Sequence, residues 1–270
     1  MTGTEPDGST SALTRAAVRD RLDRVTDPEL DRSIVALEYV DRIEIDGARV
    51  AVEFTLPTAW CSPAFAWMMA VDARDEIESL PTVETVRITL TEHMHETEIN
   101  RGVNDHLSFA EAFPDADGDV AAVRAELDEK ARVARQYDAV EALLGSGLDP
   151  KTIVALRRRD LEGLDAGITD DSADGTDETV AVYVRDRAFA VAVPAAPIER
   201  YLEKARETDR VSDPADRLFR TPEGEPIDPD SFDLVHQRGR LAKVNMSSQG
   251  GICDGLREAK EGRLEKPADD

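Results

Sequence analysis

Thr55-Leu-Pro-Thr58-Ala-Trp60-Cys61-Ser62-Pro63-Ala-Phe65-Ala-Trp67 is the stretch on which the fold turns. The alternating run Arg49-Val-Ala-Val-Glu-Phe-Thr55 leads into it, and a segment with apolar residues at helical spacing leads out. The side-chain period changes from two to about 3.6 at this junction. Cys61, one of two cysteines in the chain, therefore falls at a strand-to-helix turn. The thiolate, not the thiol, is the nucleophile and metal ligand, and N–H groups at a helix N-terminus favour it. The same position also suits a buried cysteine acting as a small apolar side chain.

Upstream, Val40-Asp-Arg-Ile-Glu-Ile45 and the 49–55 run flank Asp46-Gly47, a strong hairpin signal. Leu13, Val18, Leu22 and Val25 recur at helical spacing behind Ser11 as N-cap. Thr26-Asp27-Pro28-Glu29-Leu30 stops that helix, because Pro28 disfavours helical backbone at Asp27. Downstream, Phe65, Met69, Ala73, Ile77 and Leu80 stripe a helix over 63–80, and Pro81 ends it. A third strand is predicted over 85–90. The order α-β-β-α-β predicts an α+β domain, a three-stranded sheet covered by helices.

Beyond it, His93, His95, Glu96 and Glu98 form a polar cluster. On an extended strand His93 and His95 would share a side and could chelate a second metal; on a helix, His95 and Glu98 would pair instead. The chain then divides as a disordered tail 1–10, a domain 11–114 with this His-rich extension, a linker 115–119, an accessory interaction domain 120–262 and a polar tail 263–270. The second domain is predicted to be mostly helical with a β-hairpin. Its helices fall at 120–144, 150–161 and 198–207, with weaker ones at 232–244 and 251–261; the strands are 179–184 and 188–193, after an acidic loop at 167–178.

The net charge is −24, with 57 acidic against 33 basic residues, yet hydrophobic residues make up 41%. An acidic, lysine-poor surface around a normal core fits solubility in high salt, where short-range screening relieves self-repulsion. It argues against nucleic acid and anionic membranes as partners, since both select a basic face. The polar N-terminus and the lack of a long apolar run predict a cytoplasmic protein whose two cysteines stay reduced.

The first domain resembles the metal–sulfur cluster biosynthetic family, the PaaD-like or SufT-like iron–sulfur assembly proteins, over residues 12–92. The resemblance rests on the leading helix closed by Asp27-Pro28-Glu29, on Ser33-Ile-Val-Ala-Leu37, on the hairpin, on Thr58-Ala-Trp60-Cys61, and on the amphipathic helix followed by Leu80-Pro81-Thr-Val83. Two positions depart from the family pattern: Ser62 separates Cys61 from Pro63, and Glu38 stands where the family often has glycine. The resemblance implies a non-enzymatic factor that assembles or delivers iron or an iron–sulfur cluster to client metalloproteins, such as a multicomponent oxygenase. Cys61 would be a transient ligand, with Asp27 and Glu29 nearby and Thr58, Trp60 and Ser62 in support. One thiolate cannot hold a cluster that ordinarily takes about four ligands, so other cluster-assembly proteins or a homodimer would complete the shell.

The C-terminal half resembles the tyrosine-recombinase catalytic domain at Leu143-Leu-Gly-Ser-Gly-Leu-Asp149, Leu156-Arg-Arg-Arg-Asp160-Leu and Leu218-Phe-Arg-Thr-Pro-Glu-Gly224. Asp149 replaces the family's first arginine, and no tyrosine follows Tyr201. A DNA-associated regulator on that degenerate scaffold is one alternative. A thiol-dependent enzyme using Cys61 is another, although no histidine lies within 30 residues of it in sequence.

Overall fold

The structure is a computed structural model that describes residues 13–116, 120–162, 178–185 and 187–264, without the side chains of 252–254 and 257–264. The expected N-terminal tail, the C-terminal tail beyond 264, the acidic loop at 167–177 and most of the linker lie outside the described residues, as does the Cys253 side chain. The chain divides into two units, residues 1–121 with 248–270, and residues 122–247.

In the first unit, α1 (Arg15–Leu22) is capped by Thr14, whose hydroxyl accepts from the Ala17 N–H at 3.1 Å. The turn at Pro28 is closed by a ladder that the sequence reading did not anticipate, β1 (Thr26–Asp27) against β2 (Arg32–Ser33). Gly47, at φ 61°, then closes the hairpin of β3 (Val40–Asp46) and β4 (Arg49–Thr55). After α2 (Pro63–Glu78), β5 (Thr85–Thr91) lies parallel to β4, with Val52 opposite Ile88 and Phe54 opposite Leu90. A parallel neighbour needs a crossover, and α2 supplies it. Sheet order is β3-β4-β5.

Val50, Val52, Phe54, Ile88 and Leu90 form the sheet side of the core, and Met69, Ala73 and Ile77 the helix side. α2 is buried on more than one stripe because α1, β5 and α3 (Glu96–Asn104) all pack on it. α3 also takes the place of a fourth strand. Asn100 accepts from the Leu90 N–H at 2.7 Å and donates to the Leu90 carbonyl at 2.9 Å. Asn104 does the same for Ile88, at 2.9 and 2.7 Å. Four residues apart on a helix match two residues apart on a strand, so both amides reach the outer edge of β5.

Trp67 is core. It packs edge-on against Phe109 of α4 (Phe109–Ala112) and against Phe113. Gly102 of α3 lets this happen: a Cβ there would lie 2.6 Å from the Trp67 ring and 2.8 Å from Ala112.

The second unit is mixed, helical with a small sheet. α5 (Val120–Gly145) leads through α6 (Pro150–Ala155) to β6 (Leu161–Glu162), β7 (Thr179–Val184) and β8 (Phe189–Pro194). α7 (Ala195–Glu207) follows, and then α8 (Phe232–Leu264), whose residues up to Ser247 belong to this unit. The helix expected over 150–161 stops at Ala155. The Arg157 N–H goes to the Asp160 carboxylate at 2.8 Å and the Arg158 N–H to the Asp216 carbonyl at 3.1 Å, so neither continues the helix. The freed chain makes a 3₁₀ turn and then β6, which adds a third strand to the expected hairpin. The two weak helices at the end are one continuous α8, since Gly250-Gly251 costs a helix only about 1 kcal/mol per residue. Asp149 caps α6 by accepting from the Thr152 N–H at 3.1 Å.

Arg132 is fully buried. It is held by Glu129, by Gln136 at 3.1 Å and by the Thr221 carbonyl at 2.8 Å. Tyr201, also fully buried, donates to the Leu218 carbonyl, and burial pushes its phenol up to about 12.

Gly102→Ala is expected to destabilise the protein by about 1–3 kcal/mol in urea unfolding, through overpacking against Trp67. Glu38, at φ 57°, occupies a left-handed position at the residue where the resemblance places glycine. Glu38→Gly is expected to raise stability by up to about 1 kcal/mol. A loss in that variant would show that the Glu38 side chain contributes more than its backbone costs.

Candidate functional site at Cys61

Beyond β4, Leu56 and Pro57 are buried and the chain turns at Thr58. The Thr58 hydroxyl accepts from the Trp60 N–H at 3.0 Å, and its carbonyl accepts from the Cys61 N–H at 3.4 Å. Ser62 is the N-cap of α2, with φ −52° and ψ 128°, and its side chain makes no capping bond. Its carbonyl accepts from the Phe65 and Ala66 N–H groups at 3.0 and 3.1 Å. Pro63 follows at the first helical position, where its missing N–H costs nothing. Ser62, the residue that departs from the family pattern, is thus the cap itself, and Cys61 stands one residue before the cap. Cys61 is half-buried. The positive end of α2 still reaches it, since the helix field decays over about one turn.

A second segment holds this loop from outside. Glu92, at φ 55°, turns the chain out of β5. His93 is buried, and its Nε2 lies 3.0 Å from the Cys61 carbonyl oxygen. Its Nδ1 accepts from the His95 N–H at 3.2 Å. Nδ1 therefore carries the lone pair and Nε2 the proton, so His93 donates to the Cys61 carbonyl. The next N–H, of Met94, donates to the Ala59 carbonyl at 3.1 Å. Residues 93 and 94 thereby fix the backbone of the thiol loop at two points. Trp60 and Met94 remain 76% and 55% exposed beside it.

His93 and His95 are not on an extended strand. His95 is the N-cap of α3, and its Nδ1 lies 3.9 Å from Glu98, the helical pairing of the two weighed from sequence. Glu96 and Glu98 sit in the first turn of α3, where negative charge complements the helix dipole. Both ring nitrogens of His93 are engaged, which leaves it no lone pair for a metal in this arrangement.

Asp27 is buried at the end of β1. Its Oδ1 accepts from the N–H groups of Glu29 and Leu30 at 2.9 and 3.2 Å, and its Oδ2 from the Tyr39 hydroxyl at 3.3 Å. The Tyr39 carbonyl accepts from the Thr55 N–H at 2.9 Å. Asp27 is thus tied to the sheet end where β4 finishes and the Cys61 loop begins. Glu29 accepts from Gln249, of the same unit, at 3.0 Å. Among the described residues, no three His, Cys, Asp or Glu side chains form a group that could hold a metal ion.

A strand-to-helix thiol, a carboxylate turn at the same sheet end and the α-β-β-α-β frame coincide with one family model, described as iron–sulfur cluster assembly protein, over residues 15–89. Residues 15–89 belong to that family. The match gives the chain a general role in iron–sulfur cluster assembly. No curated protein matches the chain. Among the described residues, no helix is long and apolar enough to cross a membrane.

The matched assembly domain includes Asp27, Glu29, Thr58, Trp60, Cys61 and Ser62 and ends before Glu92. The His93–Met94 clamp and the Asn100–Asn104 pair therefore lie beyond it. Sequence reasoning gave neither its role. A signal for the pair was present, two amides four residues apart on the helix that buries Ile99 and Val103.

Burial raises the Asp27 carboxyl above its ordinary value of 3.8, against the lowering effect of the Glu29 and Leu30 N–H groups. A raised carboxyl contributes stability that is fully present below 3.8 and lost as pH rises through its folded value. Asp27→Asn keeps an oxygen for both N–H groups and does not ionise. Its stability relative to wild type is expected to rise with pH across that window, as read by urea unfolding from about pH 3 to about pH 7. Parallel pH profiles for the two proteins would contradict this.

Proposed function

We propose that the assembly domain carries iron or an iron–sulfur cluster to client metalloproteins, with the Cys61 thiolate as the transient protein ligand. The supporting observation is a half-buried thiol one residue before the N-cap of a helix, on a backbone held in place by its neighbours. Soft thiolate sulfur suits iron and its sulfide clusters. One thiolate without two further ligating side chains holds such cargo weakly, which a carrier needs in order to release it. The remaining ligands would come from a second copy of the chain, from another assembly protein or from the client.

Asp27 and Glu29, at the same sheet end, would tune the thiol or offer a hard oxygen. The His93 and His95 cluster is left a structural part in this reading. His93 holds the Cys61 carbonyl with its protonated nitrogen, so it is not placed as a base for the thiol, which favours carriage over nucleophilic catalysis. Exposed Trp60 and Met94 would supply apolar contact to a client, with a multicomponent oxygenase as the client class suggested by the family.

Anaerobic reconstitution with ferrous iron and sulfide tests the proposal. Wild type is expected to take up a labile visible chromophore, and Cys61→Ser to lose most of the bound iron. Equal iron content in the two proteins, with the variant folded by circular dichroism, would remove Cys61 as ligand.

A further inference from the structure

The second unit holds a cleft of about 640 Å³ between the turn after α6 and the β7–β8 turn. Arg157, Arg159, Arg185 and Arg187 line it, with Tyr183 and a single carboxylate, Asp160. This is unexpected in a chain with a net charge of −24, where carboxylates are in large excess. Several arginines elsewhere meet them, as Arg42 does Glu44 at 2.6 Å, Arg74 does Asp75 at 2.6 Å and Arg238 does Glu223 at 2.7 Å. In the cleft, only Arg187 does so. Its guanidinium reaches Glu162 at 3.0 Å and the Arg159 carbonyl at 2.8 Å and stacks over the Tyr183 ring at 4.0 Å, which makes it a wall of the cleft.

Among the described residues, Arg157, Arg159 and Arg185 have no carboxylate partner. Arg157 reaches only the Ala215 carbonyl, and Arg185 lies over the Phe189 ring at 5.5 Å. Asp160 spends its charge locally, on the Arg157 N–H at 2.8 Å. Arg185 and Arg187 also occupy left-handed backbone, at φ 50° and 67°. Glycine or asparagine would fill those turn positions with less strain. Two arginines stand there instead, facing one cleft.

We infer that this cleft is a binding site for a small, multiply charged phosphate-bearing ligand. Guanidinium groups bind phosphate oxygens through paired N–H donors, and three of them without a carboxylate partner keep donors and charge for such a ligand. The volume lies within the range of about 300–1,000 Å³ typical of small-molecule sites. A nucleic-acid strand carries charge beyond the cleft, onto an acidic protein that repels it. A compact ligand avoids this. The site is independent of Cys61 and of iron.

Calorimetric titration of the full chain with inorganic pyrophosphate, at constant ionic strength, tests the inference. One saturable site per chain is expected. Arg159→Gln combined with Arg185→Gln should weaken it about tenfold or more, since both side chains are exposed and contribute charged donors. Arg42→Gln, in the other unit, should leave it unchanged. Absent binding, binding that survives the double substitution, or equal weakening in Arg42→Gln would each overturn the proposal. Binding of a short DNA duplex without binding of pyrophosphate would also overturn it and assign the cleft to nucleic acid.

Discussion

The parallel pairing of β4 with β5 is the constraint from which the first unit follows. Two parallel strands cannot be joined by a tight turn, so the chain must leave the sheet at the end of β4 and return from its other end. The exit is the Thr58–Ser62 loop, and the return is α2. The thiol stands at the exit, where a strand must become a helix within a few residues. The end of β5 comes back to that same edge, with Thr55 opposite Thr91 and their hydroxyls 2.6 Å apart. That return brings His93 onto the loop it braces.

Much of this was legible because periodicity reports burial. The alternation of Val50, Val52 and Phe54 and the stripe of Met69, Ala73 and Ile77 located β4, α2 and the junction between them. Direction was not legible. The 85–91 run alternates in the same way whether parallel or antiparallel, and only the crossover settles it. Short-range capping also escaped, because bonds such as Asp160 to the Arg157 N–H end α6 without any apolar signal. His93 shows the same limit at the site: its neighbours in sequence suggested a ligand, whereas the loop it contacts lies 32 residues away and gives both ring nitrogens other work.

The departures from the family pattern have local physical explanations. Ser62 does not disrupt the junction, because it becomes the cap and leaves Cys61 just before the helix. Glu38 holds a left-handed backbone conformation that glycine would adopt more easily. In both places the backbone geometry accommodates the change. The thiol loop follows the same logic, with its peptide groups anchored and large apolar side chains left outside. A loop already ordered gives up little conformational entropy when something docks on it.

The amide pairs of Asn100 and Asn104 have a further meaning for association between chains. An open strand edge invites another strand, and the risk grows with protein concentration. Along β5 the invitation is withdrawn, since the peptide groups of Ile88 and Leu90 are already answered by side chains. Two such chains can meet through their surfaces without growing a common sheet across that edge, and any encounter remains reversible there.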